Sequence, residues 1–168
     1  AISTDFNKNL IFSSTVSTNN PLLATTGAFQ TTSPSTPSAI IAKFNSSGTR
    51  LWATFYGNGY GTYINDNTTD NLGNVYITGY TSATLGIATT SAYQSTKPLL
   101  NNNCAFIAKF DQNGIRTYGT YYGGSGTTSN YSYDYGLSIK IDNFNNIVLL
   151  GKTTSSNDIS TSSSHQSN

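Results

Sequence analysis

The stretch AKFNSSGTRLWATFYGNG spans residues 42–59, and the stretch AKFDQNGIRTYGTYYGGSG spans residues 108–126. The two share the same order of lysine, aromatic, glycine and arginine positions, 66 residues apart. A single globular domain has no need for such a repeat, whereas a chain built from similar structural units does. The repeat therefore decides the architecture, and a functional site is to be sought on the repeated unit.

Three further patterns recur along the chain. The turn pattern Asp-x-x-x-Asn-apolar begins at Asp5, Asp70 and Asp142, at intervals of 65 and 72 residues. Each turn leads into a short run that ends in glycine or a small residue, as in YITGY and VLLGK. A Ser/Thr-rich loop then ends in an aromatic-Gln pair in TTGAFQ and TTSAYQ, and TSSSHQ is a third version.

These patterns predict four short strands in each unit. In chain order within a unit, the predicted strands are 62–69 or 135–141, 75–80 or 147–152, 39–44 or 105–110, and 50–56 or 116–122. The third strand is apolar almost throughout, which is typical of a strand covered on both faces. The fourth strand alternates, with residues 51, 53 and 55 on one face and residues 52, 54 and 56 on the other.

The lengths of the connections predict how the strands are arranged. Strands three and four are joined by NSSG and DQNG, which end in Gly48 and Gly114 and suit type I turns closed by a left-handed glycine. Strands one and two are joined by a similarly tight turn, so the strands run antiparallel. The connection between strands two and three, 81–104, is long. We therefore expect a tight-turn edge, and opposite it a long-loop edge that contains 57–61, 81–104 and 123–134.

A repeated unit of four antiparallel strands is typical of a β-propeller blade. We expect an all-β fold with about two and a half blades. Residues 1–56 would form a partial blade with strands two to four, 57–122 a complete blade, and 123–168 a partial blade with strands one and two and a Ser-rich loop. Because a closed ring needs about four blades or more, we expect a fragment whose partner is the rest of its own propeller.

At these residues the chain resembles the bacterial SBBP family, the seven-bladed β-propeller repeat. The matching phrases are AFIAKFDQNG, TYYGGSG, YGLSIKIDNFNNIVLLGKT and TTSAYQ, and the resemblance covers nearly the whole chain. It implies a protein that is secreted or displayed on the bacterial surface, exported by a signal outside this segment, and it implies no shared catalytic residues. The chain departs from the pattern at 62–70, and at Asn145, which stands where the preceding turn has Gly73.

The charge content argues against several classes of partner. Only 9% of the 168 residues are charged, the net charge is +1, and all seven acidic residues are aspartates. No basic stripe is present to bind nucleic acid through its phosphates. No apolar run approaches the roughly 20 residues of a membrane span, and the first residues, AISTDFNKNL, do not form a signal peptide. We expect neither nucleic-acid binding nor membrane insertion.

The metal-binding and nucleophilic residue types are too few for a metal site or a catalytic set. Cys104 and His165 are the only residues of their kinds, so no zinc set or disulfide is expected. His165 occupies the slot that holds an aromatic residue in the other units, which favours packing. Asp5, Asp70 and Asp142 have oxygens suited to calcium, but each turn supplies one carboxylate where calcium takes six to eight oxygens. We interpret these aspartates as turn caps and expect no metal or cofactor.

Two further candidates for catalysis are also weak. Asp66 and Asp70 are the closest carboxylates, and four residues along a strand separate them by about 13 Å, too far for glycoside hydrolysis. The loops at 57–61 and 123–126 are glycine-rich but lack the Lys-Ser/Thr of a phosphate loop. We therefore expect that the protein is not an enzyme.

The stretch GTTSNYSYDYG, residues 126–136, is the strongest candidate for ligand binding. It alternates tyrosines with Ser, Asn and Asp, a mixture that gives rigid aromatic area and adaptable hydrogen bonds in loop binding sites. Asn130, Tyr131, Tyr133 and Asp134 are the candidate binding residues, for a cell-surface glycan or another surface or secretion protein. The alternative is that these tyrosines pack between blades.

The leading hypothesis is a non-enzymatic propeller segment of a secreted or surface-displayed bacterial protein, which acts in scaffolding, adhesion or recognition through the long-loop edge. One alternative is a purely architectural spacer in a longer surface chain. Another is a glycan-active enzyme built around loop aspartates such as Asp134.

Overall fold

The protein is an all-β chain, as predicted. The computed structural model describes residues 1–18, 20–34, 36–59, 61–98, 103–125 and 132–165, and these ranges contain strands and one 3₁₀ turn at Pro21–Leu23 but no α-helix. The strands are β1 (Ile2–Thr4), β2 (Leu10–Val16), β3 (Ser38–Phe44), β4 (Arg50–Tyr56), β5 (Thr62–Thr69), β6 (Val75–Thr81), β7 (Cys104–Phe110), β8 (Arg116–Tyr122), β9 (Asp134–Ile141) and β10 (Ile147–Thr153).

The strands form three antiparallel sheets in chain order. The first sheet has the order β1-β2-β3-β4, the second β5-β6-β7-β8, and the third pairs β9 with β10. The bounds of the predicted strands are confirmed to within one residue at each end. The three sheets do not close into a ring.

The two faces of β4 lie in different hydrophobic clusters, which confirms the predicted alternation. Phe55 packs with Ile40 and Ala24, whereas Trp52 and Tyr56 point into the largest cluster of the protein. That cluster joins the first and second sheets. Burial on both faces explains why β3 reads as a nearly continuous apolar run rather than a half-polar one.

The sheets stack through their first strands. β5 packs on the first sheet, where Asn67 Nδ2 donates a 2.7 Å hydrogen bond to Ser13 Oγ. β9 packs on the second sheet in the same way, and Asp66 Oδ2 accepts hydrogen bonds from Ser138 Oγ (2.6 Å) and Ile139 N (3.0 Å). Polar side chains on β5 therefore fix each sheet against the next.

The tight turns share one edge of the structure. Gly48 and Gly114 have φ values of +81° and +84°, in the left-handed region that a glycine adopts without steric cost. Trp52 Nε1, in the first sheet, donates a 2.9 Å hydrogen bond to Gln112 O in a tight turn of the second. Asn145 has a φ of +64°, so an asparagine adopts the left-handed conformation that Gly73 adopts in the preceding unit.

The long loops after β2 and β6 fold back onto the outer strands. Gln94 N donates to Thr120 Oγ1 (2.9 Å), Tyr121 N donates to Gln94 O (3.1 Å), and the Gln94 amide forms two hydrogen bonds with the backbone of Gly123. Gln30 makes similar contacts with β4 in the first sheet. The repeated aromatic-Gln pattern is thus a device that protects an otherwise open sheet edge.

The second long loop does not stay at the long-loop edge. Ala83 and Ile87 are buried between the first two sheets, and their carbonyls accept hydrogen bonds from Tyr121 Oη and Tyr56 Oη, both 2.9 Å. Arg116, at the tight-turn end of β8, donates a 2.7 Å hydrogen bond to Gly86 O. The expected separation of tight turns and long loops is therefore incomplete, because this loop also fills the wedge between two stacked sheets.

Candidate ligand cleft

A row of tyrosines crosses the second and third sheets at the long-loop edge. Tyr63 and Tyr80 face each other across β5 and β6, and their rings stack at 4.8 Å with an angle of 14° between the planes. Tyr135 meets Tyr80 edge-on at 4.7 Å, and Tyr133 lies parallel to Tyr135 at 6.2 Å. We call these four residues the tyrosine row.

An open cleft of about 610 Å³ begins at one end of this row. Tyr63 and Tyr80 form part of its wall, so the tyrosine row continues the cleft over the surface. The lining consists of aromatic, small polar and backbone groups: Pro34, Thr36, Pro37, Gly59, Gly61, Tyr63, Tyr80, Ser82 and Asn103. The walls come from the loops after β2, β4 and β6 together with the ends of β5 and β6.

The cleft is neutral and combines polar with apolar groups. None of the described side chains that line it carries a charge. Asn103 Nδ2 donates a 3.5 Å hydrogen bond to Tyr135 Oη, which joins the cleft wall to the tyrosine row. Burial, together with the neighbouring hydroxyls of Tyr63 and Tyr135, raises the pKa of Tyr80, so its hydroxyl stays protonated at neutral pH and is able to donate as well as accept a hydrogen bond.

Gly61 allows the loop after β4 to lie close to the tyrosine row. A Cβ at this position would lie 3.0 Å from Cε2 of Tyr63, and its φ of +38° is unfavourable for other residues. Gly59 and Gly61 therefore contribute backbone to the cleft wall beside the ring of Tyr63.

The residues predicted for ligand binding are found in different environments. Asn130 and Tyr131 lie outside the described residues. Tyr133 is 38% exposed at the end of the tyrosine row, next to Tyr135. Asp134 is buried beside it, and its role in ligand binding stays a prediction.

The carboxylate of Asp134 is engaged in structural hydrogen bonds. Its oxygens accept from Thr153 Oγ1 (2.5 Å), Ser155 Oγ (3.1 Å) and Gly124 N (3.1 Å). These contacts join the start of β9 to the end of β10 and to the loop after β8. Thr62 has the corresponding position in β5, where its hydroxyl pairs with that of Thr81 at 2.9 Å.

Sequence reasoning missed Tyr63, Tyr80 and Asn103. Tyr63 and Tyr80 lie inside predicted strands rather than in a loop, so their composition did not mark them. Their position at the ends of strands one and two, nearest the long loops, was available as a signal, because the predicted hairpin brings these two ends together.

The three aspartate turns use their carboxylates on the chain itself. Asp142 Oδ1 accepts from the backbone of Phe144 and Asn146, at 2.8 Å each. Asp70 forms the corresponding bonds and also accepts from Tyr76 Oη at 3.0 Å. Within the described ranges, no group of three or more His, Cys, Asp or Glu side chains is arranged to hold a metal ion.

The single cysteine and histidine lie apart from the cleft lining. Cys104 is buried, and burial, with the nearby charge of Asp134, raises the pKa of its thiol to about 12. His165 is exposed, so the packing predicted from its slot is not seen. In the part of the chain that the structure covers, no helix has the length and hydrophobicity needed to cross a bilayer.

Comparison with known proteins leaves the fold and the cleft as the main guides to function. No protein-family model matches the chain, and no curated protein sequence matches it significantly. The class that the structure defines is a stack of two four-stranded antiparallel sheets and a two-stranded one, with a neutral, tyrosine-walled cleft at one edge. The resemblance to the bacterial SBBP repeat stays a prediction.

Proposed function

We propose that the chain is a non-enzymatic recognition segment of a secreted or surface-displayed bacterial protein, and that its sheets are blades of a larger β-propeller. The ligand proposed for the cleft is a neutral glycan. The observation that carries the proposal is the tyrosine row beside an uncharged cleft, with rings of Tyr63 and Tyr80 at the wall.

Sugars suit this site for a chemical reason. The C–H faces of a pyranose ring pack on aromatic rings, and its hydroxyls need nearby groups that donate and accept hydrogen bonds. The cleft offers both, through its tyrosines and the side chains of Ser82, Asn103 and Thr36. An anionic ligand would find no compensating cation among the lining residues.

The proposal is non-enzymatic because the nearby carboxylate is committed elsewhere. Asp134 is 4% exposed and its two oxygens accept hydrogen bonds from three residues. Glycoside hydrolysis needs a pair of carboxylates that flank the bond to be broken, and none of the residues that line the cleft is acidic.

A glycan array with the intact protein, followed by calorimetric titration of the best neutral oligosaccharide, tests this proposal. The Tyr80→Ala variant should bind about tenfold more weakly, because a central aromatic contact is lost. Phe144→Ala is the matched control: Phe144 is 86% exposed in a tight turn of the opposite edge, and its removal should leave binding unchanged.

Circular dichroism and thermal melting establish that both variants are folded. Absence of glycan binding by the folded wild-type protein would overturn the proposal. Equal losses in Tyr80→Ala and Phe144→Ala would also overturn it, because the binding surface would then not be the cleft.

A purely architectural spacer is the second candidate, and the stacking of the sheets favours it. Asn67 and Asp66 join successive sheets by hydrogen bonds, so adding units would extend the stack regularly. This candidate expects substitutions in the cleft to have no effect on the protein's role, whereas substitutions between the sheets would unfold it.

A further inference from the structure

The third sheet presents an unpaired edge. In the described part of the chain, β10 pairs with β9 on one side and with no strand on the other. Val148 and Leu150 are 55% and 64% exposed. In the second sheet the corresponding residues, Tyr76 and Thr78, are 4% and 0% exposed, because β7 pairs with β6 there and β9 of the third sheet packs on that face.

An apolar groove runs beside this edge. It has a volume of about 370 Å³ and lies between β10 and the face of the second sheet. Its aliphatic lining comes from Ala105, Ile107, Ile147, Leu149 and Ile159, and the lining also includes Tyr122, Tyr135 and the charged residues Asp134 and Lys152.

The first two sheets show what fills the corresponding space one unit earlier. Tyr56 of β4 contacts Phe106 and Phe110 of β7, with ring centroids 5.4 and 5.7 Å apart. Trp52 stacks on Phe110 at 6.4 Å. Two phenylalanines of a third strand, spaced four residues apart, therefore fill the gap between one sheet and the next.

The loop of the first unit also receives a cation from the following sheet. Phe29 packs against Phe110 at 6.1 Å, and the guanidinium of Arg116 lies 4.5 Å from its ring centroid. Arg116 is the first residue of the fourth strand, just after the tight turn. The first sheet therefore contacts both strands of the β7–β8 hairpin rather than a single strand, and we call this contact surface the hairpin site.

The second sheet has a corresponding hairpin site, and its residues are more exposed. Tyr118, Tyr122 and Tyr93 occupy the positions of Trp52, Tyr56 and Phe29 in the repeat. Tyr93 is 71% exposed, whereas Phe29 is 37% exposed. Tyr118 and Tyr122 are half-buried, whereas Trp52 and Tyr56 are buried.

The ion pairs at the tight-turn edge also indicate that a hairpin fits beside β10. Asp5 binds Lys43 of β3 at 2.9 Å, and Asp70 lies 3.8 Å from Lys109 of β7. Asp142 is the third aspartate of this series. No lysine or arginine lies within ion-pair distance of it in the described residues, and its partners are Phe144 and Asn146 of its own turn.

We propose that the β10 edge and the adjoining groove bind a β-hairpin of the β7–β8 kind, supplied by a further repeat unit. Its first strand carries Phe-x-x-Lys-Phe, and an arginine opens its second strand. The register is set by the repeat: Lys43 lies opposite Ile11 and Lys109 opposite Tyr76, so the incoming lysine lies opposite Val148 and reaches Asp142.

A second intact copy of the chain does not offer this hairpin. Its β3–β4 and β7–β8 hairpins are already paired within their own sheets and stacked in its core. The incoming hairpin adds a strand to a sheet edge, so backbone hydrogen bonds supply much of its affinity, and the groove and Asp142 select the side chains.

The test uses the intact protein and a fluorescent synthetic peptide of residues 105–122, measured by fluorescence anisotropy. We expect saturable binding, together with new hydrogen-exchange protection of the β10 amides. A peptide with Lys109→Glu should bind the wild-type protein about tenfold more weakly, because it places a second anion against Asp142. The Asp142→Lys protein should reverse this preference and bind the Lys109→Glu peptide more tightly than the original.

Two controls keep the outcomes distinct. Tyr63→Ala alters the tyrosine row but not the groove, so it should leave peptide affinity unchanged. This control tests the hairpin site independently of glycan recognition. Light scattering reports the oligomeric state without peptide. The proposal is overturned by absence of binding, by equal affinity for the two peptides, by protection of the wrong strand, or by a dimer through β10 that the peptide does not dissociate.

Discussion

Lys43 and Asp5 form an ion pair in the protein interior. Nζ of Lys43 lies 2.9 Å from Oδ2 of Asp5, and the two side chains are 3% and 1% exposed. The same ammonium group donates a 3.2 Å hydrogen bond to Gly73 O in the tight turn of the next unit. One buried lysine thus joins the turns of two successive sheets, and the repeat supplies its control in Lys109, which is 31% exposed and 3.8 Å from Asp70.

The first prediction compares these two lysines. Lys43→Met should lower the free energy of unfolding by about 3 kcal/mol, because the buried Asp5 carboxylate loses its counter-ion. Lys109→Met should cost less than about 1 kcal/mol, since its pair is longer and partly exposed to solvent. Urea denaturation of the two variants measures the difference, and equal costs would show that burial does not set the strength of this contact.

The second prediction concerns acid. Burial alone would raise the pKa values of Asp5 and Asp70, but the hydrogen bonds and charges around them together lower both: Asn9 and Lys43 act on Asp5, and Asn74, Tyr76 and Leu72 act on Asp70. A lowered pKa in the folded state means that these groups stabilise the fold above their ordinary pKa of about 3.9, and that this stabilisation is lost as the pH falls through the lowered value.

The free energy of unfolding should therefore stay nearly constant between about pH 7 and pH 5 and fall below about pH 4. Urea denaturation at a series of pH values measures it. The Asp5→Asn, Asp70→Asn double variant should be less stable at neutral pH and should lose less on acidification. An unchanged acid slope in that variant would assign the effect to other aspartates.

The sequence predicted the strands because their cause is local, but it did not predict the register. Counting outward from the turn at Asp70 pairs Tyr63 with Thr81. In the structure a bulge between Ile64 and Asp66 shifts the register by one, and Tyr63 lies opposite Tyr80 instead. A bulge adds one residue to one strand, and the residues of the turn do not predict it. The stacked pair of Tyr63 and Tyr80 in the cleft wall was therefore not predictable by counting residues from the turn.

The positions of the long loops along the chain were predicted, but the path that they follow through the structure was not. Their length and polar composition favoured an exposed surface, whereas Ile87 is fully buried between two sheets. Burial of this residue depends on how the first and second sheets stack, which is not a property of the loop itself. The hydrogen bonds between Gln94 and Gly123 likewise form only because the loop folds back onto the end of β8.

The third prediction concerns the packing between sheets. Trp52 is 5% exposed, stacks on Phe110 and donates a hydrogen bond to Gln112 O. Trp52→Ala should lower the free energy of unfolding by about 4 kcal/mol, since it leaves a cavity between the first and second sheets. Tyr118→Ala, at the same position of the next unit, should cost clearly less because its ring is only half-buried.

Thermal and urea denaturation of both variants measure this contrast. Equal losses would mean that Tyr118 is as well packed as Trp52. That result would contradict an exposed hairpin site on the second sheet. Addition of the 105–122 hairpin peptide should widen the effect of Tyr118→Ala and leave that of Trp52→Ala unchanged, because only Tyr118 lies on the second sheet, at the position where Trp52 contacts a phenylalanine of the next hairpin.

The last prediction concerns the close approach of a loop to β8. A Cβ at Gly119 would lie 2.1 Å from Ile87 O, and this backbone atom has little freedom to move because it also accepts the hydrogen bond from Tyr56 Oη. Gly119→Ala should therefore displace the loop and cost about 3 kcal/mol. The strand itself tolerates alanine, since Ala53 occupies the same position in β4.

Gly48→Ala is the control. It has a φ of +81° but open space around its Cβ position, so it should cost about 1 kcal/mol from backbone strain alone. Hydrogen exchange separates the two effects: in Gly119→Ala the Thr89 amide, which donates to Gly119 O at 2.8 Å, should lose protection, whereas in Gly48→Ala it should not. If Thr89 stays protected in Gly119→Ala, the loop does not depend on the missing side chain, and the glycine is required by the strand rather than by the wedge.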